Sequence, residues 1–165
     1  GLMRRYADFP VCTREALAYA NASFGTRLDA ADCAALLDAY RSLPAFADVD
    51  AGLAAAKGAG HRLYAFSNGT ADAVDGLLTQ AGLRHYVVSV DEVRSFKPDP
   101  AVYAHFLRRA AARAEDAWLV SSNPFDVIGA VAAGLRAGWL RRAAEALFDP
   151  WDLAPTLSAA TLPAL

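Results

Sequence analysis

The stretch from Trp118 to Gly134 constrains this chain more than any other. Trp118-Leu119-Val120 runs into the polar cluster Ser121-Ser122-Asn123, and Pro124-Phe125-Asp126-Val127-Ile128-Gly129-Ala130 follows with helical character. A short apolar run, a polar tip and then a helix is the pattern of a buried strand that delivers its tip to the carboxyl edge of a sheet, where α/β folds place their ligands. Two further polar tips, Ser67-Asn68 and Lys97, also sit just beyond predicted strands. Three such tips converging on one edge mark an active-site scaffold.

The rest of the chain supplies the alternation such a scaffold needs. From Asp48 onward the pattern predicts a helix over 49–59, a strand over 62–66, a helix over 71–81 and a strand over 86–90. A helix over 100–112, a strand over 117–120, a helix over 125–133 and a strand over 137–140 follow. Strands joined by helix-length connections imply parallel βαβ units with right-handed crossovers. Residues 1–45 read as helical throughout. Gly1–Phe9 has the look of a helix tail closed by Pro10, Thr13 is the expected N-cap of a helix ending at Gly25, and Asp29 is the expected cap of a helix over 30–42. The last segment, 157–165, is expected to form a closing helix. The boundary between the helical piece and the α/β piece falls near Pro44–Asp48.

A length of 165 residues with 55% apolar and 21% charged residues suits one folded domain with a real core. The net charge of −2 and the scattered Arg108-Arg109 and Arg141-Arg142 pairs argue against a nucleic-acid or membrane partner. No run approaches the roughly 18 apolar residues of a membrane span. Met3-Arg4-Arg5 is followed by no apolar segment, so a secretory signal is not expected. Cys12 and Cys33 show neither CxxC nor Cys/His spacing and are read as reduced thiols of a cytoplasmic protein.

Each polar tip has a plain reading beside a chemical one. Ser67-Asn68-Gly69 is either a strand-ending turn bonded to its own backbone or a grip for a carboxylate or anion. Lys97, stiffened between Phe96 and Pro98, is either a surface lysine or a fixed positive charge. At ~4 Å and an effective dielectric near 20 it would attract a carboxylate by about 4 kcal/mol before desolvation. Asp126 either compensates the helix dipole or orients and activates a water, and Asn123 can equally be just the N-cap.

Taken in order, Ser67-Asn68-Gly69, Phe96-Lys97-Pro98 and Val120-Ser121-Ser122-Asn123-Pro124-Phe125-Asp126 resemble the haloacid dehalogenase superfamily. Within it the chain is similar to the type II L-2-haloacid dehalogenases. The likeness extends to Arg5-Tyr6-Ala7-Asp8-Phe9, to Thr13–Tyr19, to Ser89-Val90-Asp91 and to Lys97-Pro98-Asp99-Pro100-Ala101-Val102-Tyr103. It implies a Rossmann-like α/β core, a parallel sheet flanked by helices, over 46–165, with a partial helical cap over 1–45. In phosphatases of this superfamily the position of Ser122 typically carries an aspartate that helps bind Mg²⁺. A serine there removes one hard oxygen ligand, so the expected chemistry needs no metal and no cofactor.

The resemblance implies a two-step hydrolysis in which an aspartate displaces halide from C2 and water then cleaves the resulting ester. Lys97 would balance charge around the nucleophile, Ser67 and Ser121 would position it and Lys97, and Asn123 and Asp126 would place and activate the water. Asn68 would contact the substrate carboxylate or halide, Phe9 and Phe125 would form apolar walls, and Tyr103 would support Lys97. The expected partners are a small 2-haloalkanoate and halide, with a possible homodimer. The nucleophile of the family lies in an opening strand of the form Asp-x-x-Gly-Thr, which these residues do not contain. Asp8, Asp48 and Asp50 lack that context. Because this strand is central in the superfamily's sheet, the 165 residues alone are expected to be unstable and inactive. Two alternatives stay open: another hydrolase of the superfamily, such as a small-molecule phosphatase, or a non-catalytic protein on the same scaffold.

Overall fold

The first helix opens on Asp8, not on Thr13. In the computed structural model, which describes residues 5–165, α1 spans Phe9–Ser23 and the Asp8 carboxylate accepts the Val11 N–H at 2.9 Å. Pro10, expected to close a helix tail, instead lies in the first turn of α1, where its missing N–H is no loss and its fixed φ suits the helix. Residues 5–8 are irregular, and the earlier part of that expected tail lies outside the described residues. Thr13 is one turn inside α1, and its hydroxyl donates to the Phe9 carbonyl at 2.8 Å, the local bond such a residue makes when it is not capping. Gly25 follows the helix at φ +61°, the left-handed position expected of it.

The chain divides into two compact units, Gly1–Ala45 with Ala65–Arg94, and Phe46–Tyr64 with Ser95–Leu165. The first unit holds α1, α2 (Ala30–Ala39), α4 (Ala71–Gln80) and β2 (Tyr86–Ser89), together with most of β1 (Tyr64–Ser67). Asp29 caps α2 through a reciprocal pair with Asp32, and α2 runs on into a 3-10 turn over Tyr40–Ser42. β1 pairs with β2, and α4 packs on β2. Neither α1 nor α2 buries a residue.

The second unit holds α3 (Val49–Gly58), α5 (Pro100–Ala110), β3 (Trp118–Ser121), α6 (Pro124–Ala132), β4 (Arg136–Leu140) and β5 (Leu157–Ala159). Its sheet has the order β3-β4-β5, and both pairings are parallel, with Ser121 opposite Trp139 and Leu140 opposite Ala159. The predicted α/β architecture with parallel strands and flanking helices is what forms. Val102, Tyr103, Phe106, Leu119, Val127, Ala130 and Ala137 belong to the core, in which α5 packs on α6 and α6 on β3 and β4.

The expected closing helix over 157–165 is instead β5 followed by a 3-10 turn, Leu162–Ala164. The edge of β4 decides this. Thr156 donates to the Ala137 carbonyl at 2.8 Å and its hydroxyl accepts the Ala137 N–H at 3.0 Å, which starts a ladder that satisfies backbone groups a short helix would leave open. Among the described residues no helix is long and apolar enough to cross a membrane.

Asp48 closes this unit. Its carboxylate accepts the Leu162 N–H at 2.7 Å and two bonds from Arg142 Nη1 at 3.0 and 3.1 Å. The Leu162 N–H, and next the Arg142 guanidinium, hold this carboxyl below the usual carboxylate range. The Ala101 N–H and the Ser95 hydroxyl do the same for Asp99, the cap of α5. Because both folded pKa values lie below the unfolded value near 3.8, their stabilisation is complete above that pH and is lost as pH falls through the folded values. Urea melts between pH 6 and 2.5 are expected to show a steep loss of stability below about pH 4. Asp48→Asn and Asp99→Asn should each flatten that loss, and an unchanged slope in both would contradict the assignment.

Candidate active site

Asp126 is placed by three elements of the second unit at once. Asn123 stands at the N-cap of α6 and Pro124 opens the helix, so the Asp126 side chain falls in the first turn, where the helix dipole favours a negative charge. Lys97 comes from the loop before α5, which passes through a cis Lys97-Pro98 peptide. Ser121 is the last residue of β3. Lys97 Nζ and Ser121 Oγ both donate to Asp126 Oδ2, each at 3.0 Å. The two charged side chains are only 9% and 4% exposed, so this is a desolvated ion pair rather than a surface bridge.

The other carboxylate oxygen has a different environment. Asp126 Oδ1 is buried and accepts no hydrogen bond from any described residue. A buried acceptor with no donor is costly, by about 1–3 kcal/mol, unless a water or ligand serves it. One oxygen is therefore fixed by an ammonium and a hydroxyl while the other keeps its basic lone pairs. This arrangement suits accepting a proton from water.

Tyr103 on α5 secures the backbone beneath this group. It has no exposed surface, and its hydroxyl donates to the Asp126 main-chain carbonyl at 3.0 Å. Burial, and then the Asp126 charge, push the phenol pKa well up, so the hydroxyl remains a donor at any ordinary pH. The ring reaches α6 because position 129 is glycine: a Cβ there would sit 2.3 Å from the Tyr103 hydroxyl and 2.8 Å from Pro98 Cβ. Sequence reasoning singled out Tyr103 but not this acceptor, and it missed Gly129 altogether.

The remaining predicted residues of this unit lie close by in the chain. The Asn123 N–H donates to Ser121 Oγ at 3.1 Å, and the Asn123 side chain makes no capping bond and is exposed. Phe125 is 42% exposed, an open apolar face beside Asp126 in the helix. Trp139 Nε1 donates to the Ser122 carbonyl at 3.2 Å and ties down the residue that follows β3.

Ser67, Asn68 and Phe9 belong to the first unit. Ser67 Oγ accepts the Gly69 N–H at 3.0 Å, so the plain strand-ending turn is present there. Phe9 is the first residue of α1 and is 37% exposed. Asp8 and Asp48, set aside as nucleophiles on sequence grounds, serve as a helix cap and a structural clamp.

The family model for haloacid dehalogenase-like hydrolases matches residues 3–134, and the chain belongs to that family. Within it, the similarity runs to proteins named for 2-haloacids. The chain is 40% identical over 145 residues to (S)-2-haloacid dehalogenase 1 of Pseudomonas sp. (strain CBS-3), covering 86% of this chain and 63% of that protein. It is 33% identical over 158 residues to (S)-2-haloacid dehalogenase of Pseudomonas putida, covering 94% and 69%. It is also similar to the structure of L-2-haloacid dehalogenase from Xanthobacter autotrophicus with chloropropionic acid covalently bound. The TM-score there is 0.88 at 31% identity, over 98% of this chain and 76% of the other.

Proposed function

We propose that the protein hydrolyses the carbon–halogen bond of small L-2-haloacids, releasing halide and a 2-hydroxy acid. The observation that carries the proposal is the buried Asp126 carboxylate, held on one oxygen by Lys97 and Ser121, with the other oxygen unengaged by any described residue. In the reaction the resemblance implies, an aspartate oxygen attacks C2, the carbon–halogen bond breaks and halide leaves with inversion. Water then adds to the ester carbonyl, and the aspartate is regenerated as the 2-hydroxy acid departs. That aspartate has no counterpart among these residues, and the chain spans 63% of the Pseudomonas sp. relative's length.

The residues present supply the second half of the reaction. Asp126 Oδ1 takes the proton of the attacking water, Asn123 orients that water, and Lys97 offsets negative charge as it moves. Ser121 holds the Asp126 carboxylate and Tyr103 its backbone. Phe125 keeps bulk water away. For Ser67, Asn68 and Phe9 the support is the resemblance alone: Ser67 positions the nucleophile, Asn68 contacts the substrate carboxylate or halide, and Phe9 forms a second apolar wall.

The reaction proceeds without a metal ion. Lys97 lies 3.0 Å from the Asp126 carboxylate and presents there the positive charge a divalent cation would bring, while Ser122 offers no carboxylate beside it. We assign 1–45 to a partial cap and 46–165 to the core, and we place the protein in the cytoplasm, in keeping with free thiols at Cys12 and Cys33. Homodimerisation is supported by Tyr19, Leu36 and Tyr40, which leave large apolar surfaces exposed on α1, α2 and the turn after it.

The test is chloride release by the complete protein from each enantiomer of 2-chloropropionate, in buffer containing a chelator. Turnover of the L-enantiomer, undiminished by the chelator, is expected. Mg²⁺-dependent phosphate release from a generic phosphate ester, with no chloride release, would assign the protein to the phosphatases instead. Binding of the haloacid without turnover would make it a non-catalytic scaffold.

A further inference from the structure

Within the first unit, one chain of hydrogen bonds joins segments far apart in sequence. Ser89, 1% exposed at the end of β2, donates to the Gly69 carbonyl at 2.7 Å and accepts the Asp91 N–H at 3.1 Å. Asp91 in turn accepts from the Tyr6 hydroxyl. Arg94, at φ 50°, brings its guanidinium 5.6 Å from the centre of the Tyr6 ring. Tyr6 precedes Asp8, the cap of α1, and Phe9, its first residue. Asn68 sits in the turn that Ser67 and Ser89 close from either side. The turn carrying Asn68 and the helix start carrying Phe9 thus hang from one hub, Ser89-Val90-Asp91.

Residues 5–8 form neither helix nor strand; residues 6–8 are half-buried and Phe9 is 37% exposed, so the segment has no backbone ladder of its own to fix it. The Tyr6 bond ties it to an ordered strand end. Burial of the phenol, and next its bond to Asp91, push its pKa well up, so the hydroxyl remains a donor throughout the neutral range.

We propose that the Tyr6–Asp91 hydrogen bond is a specificity-setting device: it fixes where Phe9 stands relative to Asn68, and so the size of the 2-substituent that the protein accepts. Tyr6 and Asp91 are positioning residues that act through Phe9 and Asn68. The consequence for turnover rests on the haloacid reading, whereas the linkage itself does not.

The experiment compares Tyr6→Phe, Asp91→Ala and Asp91→Asn in the complete protein. Tyr6→Phe keeps the ring against Arg94 and removes only the hydroxyl, and Asp91→Asn keeps an acceptor oxygen. Tyr6→Phe and Asp91→Ala should shift the ratio of KM for L-2-chlorobutyrate to KM for L-2-chloropropionate by roughly threefold to tenfold, the population change expected from one lost hydrogen bond. Their kcat should stay near wild type, and Asp91→Asn should resemble wild type in both. Amide hydrogen exchange at Val11, Cys12 and Gly69, read without substrate, should speed up by a similar factor in the first two variants. Unchanged exchange would overturn the linkage. Faster exchange with an unchanged KM ratio, or a fall in kcat at constant KM, would overturn the specificity role. Absence of halide release from the wild type would refute the reaction and with it that role, while exchange would still decide the linkage.

Discussion

Asp126→Ala is expected to abolish turnover and to destabilise the fold together. Its carboxylate lies 3.0 Å from Lys97 Nζ, with the two side chains 4% and 9% exposed. Removing one member of a buried ion pair typically costs 3–5 kcal/mol, because the remaining charge has already lost its water. That is a large share of a stability of about 5–15 kcal/mol. Asp126→Asn separates the two effects. The amide keeps the volume and an acceptor for Ser121, so its stability loss should be smaller, yet it cannot take a proton from water. Loss of the general base proposed above would cost roughly 10²–10⁴ in rate, and both variants should show it. Urea melts and halide release measured on the same samples check this. An Asp126→Asn protein with nearly full activity would remove Asp126 from the chemistry.

The second large effect belongs to a residue with no side chain. Glycine within a helix is ordinarily about 1 kcal/mol worse than alanine, so Gly129→Ala in the middle of α6 would normally stabilise. Here the sign should reverse. The added methyl would stand 2.3 Å from the Tyr103 hydroxyl, 2.7 Å from its Cζ and 2.8 Å from Pro98 Cβ, and neither Tyr103 nor Gly129 has room to yield in the core. Overpacking of this kind costs about 1–3 kcal/mol, enough to overcome the gain in propensity. Relief has to come from Tyr103 or from the loop at Pro98, and both lead to the Lys97–Asp126 pair. Halide release should therefore drop as well. Tyr103→Phe alone loses one hydrogen bond to the Asp126 carbonyl, worth about 1 kcal/mol. Combined with Gly129→Ala it should cost less than the sum of the single changes, because the atom nearest the new methyl is gone. Strict additivity across this cycle would show that the methyl is accommodated elsewhere.

Much of this arrangement is legible in the sequence where a local rule carries it. Asp29 and Pro100 mark real helix starts, and Gly25 has the positive φ of a left-handed stop. Pro10 and Thr13 mislead because each has two local meanings. A proline ends one helix or begins another, and a threonine caps or bonds backward, and only the geometry around Asp8 decides. β5 is illegible for a different reason. Leu157–Ala159 is a strand because β4 offers an edge in register with it, which no window of sequence reveals. The site divides in the same way. Lys97, Ser121 and Asp126 announce themselves as polar groups at strand and loop ends, and they do meet. Tyr103 against the Asp126 carbonyl, and the space that Gly129 leaves for its ring, arise from helices meeting in three dimensions and have no one-dimensional signature.

The bond from Trp139 to the Ser122 carbonyl gives the protein an optical gauge. Of its three tryptophans, Trp118 and Trp151 are 36% and 71% exposed, whereas Trp139 is 7% exposed with its indole N–H engaged beside the end of β3. Emission from that ring is shielded from external quenchers and sensitive to the carbonyl it touches. Light collected at the blue end of the spectrum therefore reports on the strand tip next to Asp126, with no label attached.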